Sequence, residues 1–321
     1  MINRANLTRR QRSIRYYSAM EDGGSEPLPK AFTRFYTDMF IKDVSLGIMP
    51  IGGNARRADF SVDVTPPNPA VEELIISGLR THDYERALKS TLSEFFRLLA
   101  SEVCAMDRAV YEIVYLENAE SETVGFEFVY INDAQIASED DQLYQRVPKE
   151  EAERRSVAEM IPLPKENVLV FRAPDGLVKT LRETRDSLFP LNDLALSSFA
   201  SDAFRSKIPY DYGVHREALE VALATATRDV GWTARGLFRE RTLSYYEVYM
   251  HLRFERFKLR LREGFLAILN EGLQRIGSRL NFEAQITISG LPTSSEIDCA
   301  VEKLTSGSTP FTTLMEPFLR Y

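Results

Sequence analysis

The chain has 321 residues, enough for one large or two modest domains with a full core. Hydrophobic residues make up 44% and charged residues 27%, as in ordinary folded proteins, and no apolar run of about 18 residues is present to span a bilayer. The net charge of −7 argues against tight gripping of phosphates, though not against a surface past which nucleic acid moves without being held. Two cysteines, Cys104 and Cys299, imply no disulfide framework and fit a reducing compartment.

Residues 1–30 read as an arm. Arg4, Arg9, Arg10, Arg12 and Arg15 come without an apolar stretch, which excludes a secretory signal, although organelle leaders share this arginine-rich composition. Glu21-Asp22-Gly23-Gly24-Ser25, Pro27 and Pro29 then break regular structure. Helical spacing begins near Ala31 with Phe32, Phe35, Tyr36, Met39 and Phe40. Alternation over Phe60–Val64, between Gly52-Gly53 and Pro66-Pro67, predicts a strand.

From Asp83 to Met106 the pattern predicts a helix with Leu88, Leu92, Phe95, Phe96, Leu99 and Val103 on one face. Val110–Leu116 and Val124–Ile131 read as an antiparallel pair joined by the polar turn Asn118–Glu122. The segment 132–160 is charged and aperiodic, and Asn167–Arg172 is a short buried strand between Pro164 and Pro174. Further helices are expected at Ser187–Arg205, with Pro190 near the start, and at His215–Arg228. Ile208–Gly213 is a tight connection between them, and Asp229–Gly236 is a loop holding the only tryptophan, Trp232.

The most informative stretch is a helix expected over Phe238–Leu280, about 60 Å long at 1.5 Å per residue. Tyr245, Leu252, Leu259, Leu266, Leu273 and Leu280 form one stripe at seven-residue spacing. Met250, Phe254, Phe257, Leu261, Phe265, Ile268 and Ile276 lie roughly opposite. Two apolar faces require cover on both sides, from the chain's own core, from a second copy, or from one of each. Arg253, Arg256, Arg260, Arg262, Glu255 and Glu263 lie between the stripes at spacings that permit ion pairs. Gly264, Gly272 and Gly277 suggest close approach or bending. Asn281 ends the helix, and Phe282, Ala284, Ile286 and Ile288 alternate as a final strand.

No chemistry-bearing constellation is legible. His82, His215 and His251 have no partners at metal-ligand spacing, and neither a dinucleotide fingerprint nor a phosphate loop occurs. Glu139-Asp140-Asp141 and Glu150-Glu151 could hold a divalent cation but read better as solvated charge. None of the nine lysines has an acid two positions before it, as a restriction-type nuclease needs, and no Gly-x-Ser-x-Gly elbow exists. No cofactor, metal site or catalytic residue is expected, and the chain is read as a non-enzyme.

The order of segments resembles the tailed-phage portal proteins, the head–tail connectors. Ala109-Val110-Tyr111-Glu112-Ile113-Val114-Tyr115, then Gly125–Val129 and Leu143-Tyr144-Gln145, look like the strands of a portal wing. The run Leu163-Pro164-Lys165-Glu166-Asn167-Val168-Leu169-Val170-Phe171-Arg172 matches a family phrase that follows them. The resemblance implies a portal-like α+β fold, with helices, a mixed or antiparallel wing sheet and one long helix near the C-terminus. It divides the chain into an arm (1–30), a wing-like domain (31–186), stem-like helices with a shortened clip (187–228), a tunnel-like loop (229–237) and the long helix with its return (238–321). It also implies a short form in which the crown helices are not evident.

Functionally, the resemblance implies a cyclic ring of about a dozen copies at a capsid vertex, through which DNA is packaged and ejected. Capsid protein, terminase and adaptor would be partners, DNA would pass without tight binding, and no membrane is involved. The chain would sit in the virion, and in the host cytoplasm during assembly. Gly231, Trp232, Arg235 and Gly236 are the expected channel-loop residues, with a Trp232 tucked into the core as the competing possibility. Arg253, Arg256, Arg260, Glu255, Glu263 and Leu259 are the expected subunit seam, since arginine favours bidentate ion pairs at contacts. Two other classes stay open: an interaction or adaptor module without a channel, and a nucleic-acid-processing enzyme whose site forms only in three dimensions.

Overall fold

The computed structural model describes residues 8–9, 35–50, 60–80, 87–132, 135–140, 142–194, 212–236, 244–308 and 310. A two-residue strand β1 (Thr8–Arg9) precedes helix α1 (Phe35–Gly47), strand β2 (Ser61–Thr65) and helix α2 (Pro69–Leu79). Helix α3 (Leu88–Met106) leads into β3 (Arg108–Glu117) and β4 (Thr123–Ile131). Next come β5 (Ile136–Glu139), β6 (Gln142–Arg146), α4 (Lys149–Arg155), β7 (Met160–Leu163) and β8 (Val168–Arg172). Last are α5 (Asp175–Leu194), α6 (Tyr212–Thr227), α7 (Ser244–Leu280), β9 (Gln285–Ser289) and α8 (Ser294–Thr305). The fold is α+β with antiparallel sheets and one long helix towards the C-terminus.

Several boundaries differ from expectation. The charged stretch 132–160 contains β5 beside the expected Leu143–Gln145 strand, β6, and β7 begins at its end; the three pair antiparallel in that order, too short to show a period. Helix α5 starts at Asp175 rather than Ser187 and carries Pro190 in its interior. Buried Leu181, Leu188 and Leu191 define its inner face, while the charges between them hide the pattern. The expected continuation of that helix to Arg205, the connection 208–211, the first residues of the long helix and His82 lie outside the described residues.

The described residues form two compact units, each assembled from three separate stretches of chain. Unit 1 draws on 1–23, 59–172 and 263–291, and unit 2 on 24–58, 173–262 and 292–321.

In unit 1, β3 is the central strand, flanked by β4 on one side and by β8 and β1 on the other. The turn between β3 and β4 is held by Asn118, whose side-chain oxygen accepts from the amides of Glu120 and Glu122 at 3.0 and 2.9 Å. One face of this sheet packs on α3 through an aromatic cluster in which Phe95 meets Tyr111, Phe128 and Phe171. The second half of α7 joins that core, with Phe265 against Phe96 and Phe171. On the other face Val110, Ile131 and Val168 pack with Ile136, Leu143 and Leu163 of the three-stranded sheet. Strand β9 pairs with β2, and its other edge is clipped to α7 by Asn270. That side chain accepts from Ile286 N at 2.8 Å and donates to Ile286 O at 3.0 Å. Added Cβ atoms at Gly272 and Gly277 would lie 2.5 Å from the Leu169 side chain and 2.2 Å from the Phe282 carbonyl oxygen. The close approach expected of these glycines is therefore real at Gly272 and Gly277.

In unit 2, the first half of α7 is wrapped by α1 and α8. Leu252 and Leu259 pack on Ile297, Ala300 and Leu304 of α8, whose start is fixed by the Thr293/Glu296 capping box. The first amides of α1 are taken by a distant side chain: buried Asn192 of α5 accepts from Tyr36 N at 2.8 Å and Thr37 N at 3.3 Å. The same amide donates to Thr37 Oγ1 at 3.0 Å, so one residue supplies what the helix start cannot find internally. Asn192→Ala is expected to cost about 1–3 kcal/mol by leaving buried donors unsatisfied, read as a lower urea midpoint. Thr37→Ser, which keeps the hydroxyl, should lose less, and equal losses would deny Asn192 this role.

Candidate functional site

The loop between α6 and α7 is built around a buried anchor. Gly231 N donates to Thr227 O at 2.9 Å, closing the turn that ends α6. Gly231 has φ +80°, and a Cβ there would sit 2.3 Å from Met250 O, so only glycine fits. Trp232 is 2% exposed, stacks edge-on against Phe40 at 5.4 Å, and donates its indole N–H to Asp43 Oδ2 at 3.0 Å. The same carboxylate binds Arg235, which donates to Asp43 Oδ1 from Nε at 3.0 Å and from Nη2 at 2.7 Å. Ala234 and Arg235 take left-handed φ of 46° and 60°, a conformation that costs energy for residues with a side chain. The bidentate Arg235–Asp43 pair holds it in place.

Of the expected channel-loop residues, Trp232 is thus an internal anchor of unit 2, not an exposed contact. Gly231 is buried against α7, Gly236 closes the short turn of 3₁₀ helix over 234–236, and Arg235 is 54% exposed. Asp43, which organises both Trp232 and Arg235, is the residue that sequence reasoning missed. It lies 189 and 192 positions away from them, and no spacing rule connects the three.

The expected seam residues are likewise engaged within the chain. Arg256 and Arg260 both pair with Asp298 of α8, Arg260 at 3.5 Å. Arg253 donates to Asp229 O at 2.9 Å and lies over the Tyr249 ring. Leu259 is buried under α8. Glu263 is half-buried and has polar or electrostatic interactions of its own. Glu255 binds Lys258, a lysine only 7% exposed, at 2.6 Å, while Lys258 also lies 4.8 Å over the Phe254 ring. Arg253, Arg256, Arg260 and Glu255 thus find partners within the chain, with Asp298 as a second unforeseen partner.

No catalytic constellation emerges among these groups. Among the described residues no three His, Cys, Asp or Glu side chains come together as a metal site. Glu139 and Asp140 sit at the β5–β6 connection, Glu150 and Glu151 in the first turn of α4, and Asp141 lies outside the described residues. An open cleft of about 550 Å³ in unit 1, beside Ser278, Asn281 and Gln285, has Glu283 as its only charged lining residue among the described residues. His251 on α7 has its Nε2 3.9 Å from the Glu255 carboxylate. Burial pushes its pKa below 6.5, Glu255 opposes this, and Lys258 adds to it.

Two expectations follow from this helix face. The unfolded imidazole takes up a proton near pH 6.5 that the folded one resists. Stability should therefore fall as pH drops through about 6.5, and His251→Gln should flatten that slope in urea titrations between about pH 7.5 and 5.5. Glu255→Ala strands the buried Lys258 and should cost on the order of 3 kcal/mol, whereas Lys258→Met should be nearly neutral. Asp298→Ala, at half-exposed pairs, should cost only about 0.2–1 kcal/mol, and the reverse ranking would contradict these assignments.

No family model and no curated protein matches this chain. Among solved structures, an HK97-family phage portal protein from Corynebacterium diphtheriae is similar at 9% identity and a TM-score of 0.41, over 82% of this chain and 95% of that one.

Proposed function

We propose that this chain is a structural, non-catalytic subunit that assembles with copies of itself into a portal-type ring, a channel for packaging and ejecting DNA. The observation that carries this is the succession of elements around α7. Helix α3 runs into the β3–β4 hairpin, then come the Leu143–Gln145 strand and β8, helices α5 and α6, the anchored loop, and α7 returning through β9. That is the order implied by the portal resemblance of the sequence.

In such a ring the net-acidic subunit repels phosphate at short range, an effect screened beyond about 8–10 Å, so DNA slides without being gripped. Arg235, exposed and fixed by Asp43, is the loop side chain offered to the channel, with Trp232 as its footing. Arg256 and Arg260, 40% and 36% exposed, are the part of the helix seam available to a neighbouring copy. Capsid protein, terminase and adaptor are the proposed partners, in the virion and, during assembly, in the host cytoplasm.

Negative-stain microscopy beside a solution mass tests this. Rings with a central hole of duplex width are expected, with little DNA affinity even at low salt. A compact monomer at low and high protein concentration would overturn self-assembly and favour an interaction module. Tight DNA binding that weakens steeply with salt would instead favour a nucleic-acid-handling protein.

A further inference from the structure

Strand β2 pairs with β9 on one side only, and the register fixes where its remaining backbone groups point. Asn270 takes both the N–H and the C=O of Ile286, so these turn away from β2 and the Val64–Ile286 pair exchanges no ladder bonds. By alternation the bonds run through Ser61–Ser289, Asp63–Thr287 and Thr65–Gln285. The N–H and C=O groups of Val62 and Val64 therefore face the outer edge of β2. Among the described residues none of these four groups has a hydrogen-bond partner.

The open stretch has definite ends. Before it, the outward carbonyl of Phe60 accepts from Lys89 Nζ at 2.8 Å, and after it Pro66 has no N–H to offer. Val62 and Val64 turn their side chains into the core, while Ser61, Asp63 and Thr65 are exposed. Packing thus holds the strand extended with one face in solvent, the form in which an edge accepts another segment. Asp63 stands at the middle of that face. Its carboxylate accepts from Ser61 Oγ at 2.6 Å, and no cation pairs with it among the described residues.

We infer that the outer edge of β2 is a docking site for an extended segment of a partner protein, antiparallel to β2, with a lysine or arginine opposite Asp63. Charge complementarity selects this occupant, because side chains directly opposite on paired strands attract or repel by their charges. A second copy is excluded by the same geometry. Two-fold pairing of β2 with another β2 centred on Asp63 sets two carboxylates against each other. Centred on Val62, it sets Val64 opposite Phe60, whose carbonyl Lys89 already occupies. Centred on Val64, it sets Val62 opposite Pro66, which cannot donate. The chain's own basic segment is engaged elsewhere, with Thr8 and Arg9 paired to β3. The inference goes beyond the ring and does not depend on it.

The probe is a fluorescein-labelled, capped heptapeptide with lysine at its centre, valine on each side of it, then threonine, then serine. Anisotropy titration of the full chain should show saturable binding. Replacing the central lysine by glutamate should weaken it roughly fivefold or more, and N-methylation of both valines, which face Val62 and Val64, should abolish it. Asp63→Lys, a change at an exposed position, should reverse the order of the lysine and glutamate peptides. No saturable binding, equal affinity for the two peptides, or binding that survives N-methylation would overturn the site. An Asp63→Asn variant that gains mass and loses the peptide would overturn the basic partner and assign the edge to a second copy.

Discussion

A long helix that is apolar on two sides cannot stand in water, and much of this structure is the cover that α7 needs. Its 37 residues span about 55 Å. In unit 2 Leu252 and Leu259 lie under α8 while Phe257 meets Phe40 of α1. In unit 1 Phe265, Leu269, Leu273 and Ile276 are fully buried, with Leu169 of β8 pressed against Gly272. Each large apolar side chain so covered contributes about 1.5–3 kcal/mol, which far exceeds what helix propensity supplies with glycine at 264, 272 and 277. Strand β9 belongs to the same solution, because Asn270 on α7 bonds both backbone groups of Ile286.

The same constraint decides what the arginines do. A helix covered on both sides has little free polar surface, so its cations must find partners in the elements that cover it. Arg262 is buried and donates to Pro292 O, Arg256 and Arg260 share Asp298, and Arg275 reaches Val168 O. Arginine suits this work because its planar fork meets carboxylates and carbonyls with several donors at once. A seam that looks intersubunit in one dimension is thereby used up largely within the chain. What it can still offer a neighbour is the half-exposed side of the Asp298 pairs.

The elements legible in sequence are those with clear periodic signals: α1, β2, α3, the β3–β4 hairpin, β8, α6, the described part of α7 and β9. Helix α8 could have been found from Thr293 and Glu296, and α2 from Asn68 and Pro69, whose N-cap bonds the structure shows. Strands β5 and β7 could not, because four residues with mixed burial carry no usable period, and β6 was reached only through the portal resemblance of Leu143–Gln145. Pro162 in β7 also argues against a strand until the topology places β7 at a sheet edge. At the loop, Gly231 and Trp232 were visible as unusual residues, but the direction of the indole was not. It depends on Asp43, brought in by α1, and α1 is itself held by Asn192 of α5.

How a protein treats its strand edges says which contacts are permanent. Strand β9 has its outer edge closed by Asn270, a side chain on a helix that cannot leave without unpacking a core. Helix α2 lies over β4 so closely that Phe126 fills the space beside Gly78. On β3 the first five residues are closed by β8, whose Phe171 is locked into the aromatic cluster. Leu116 and Glu117 are paired by β1, with Arg9 opposite Leu116 and Thr8 opposite Glu117. A cap held by packing in this way is lost only with the fold, so each of these edges is as permanent as the core behind it.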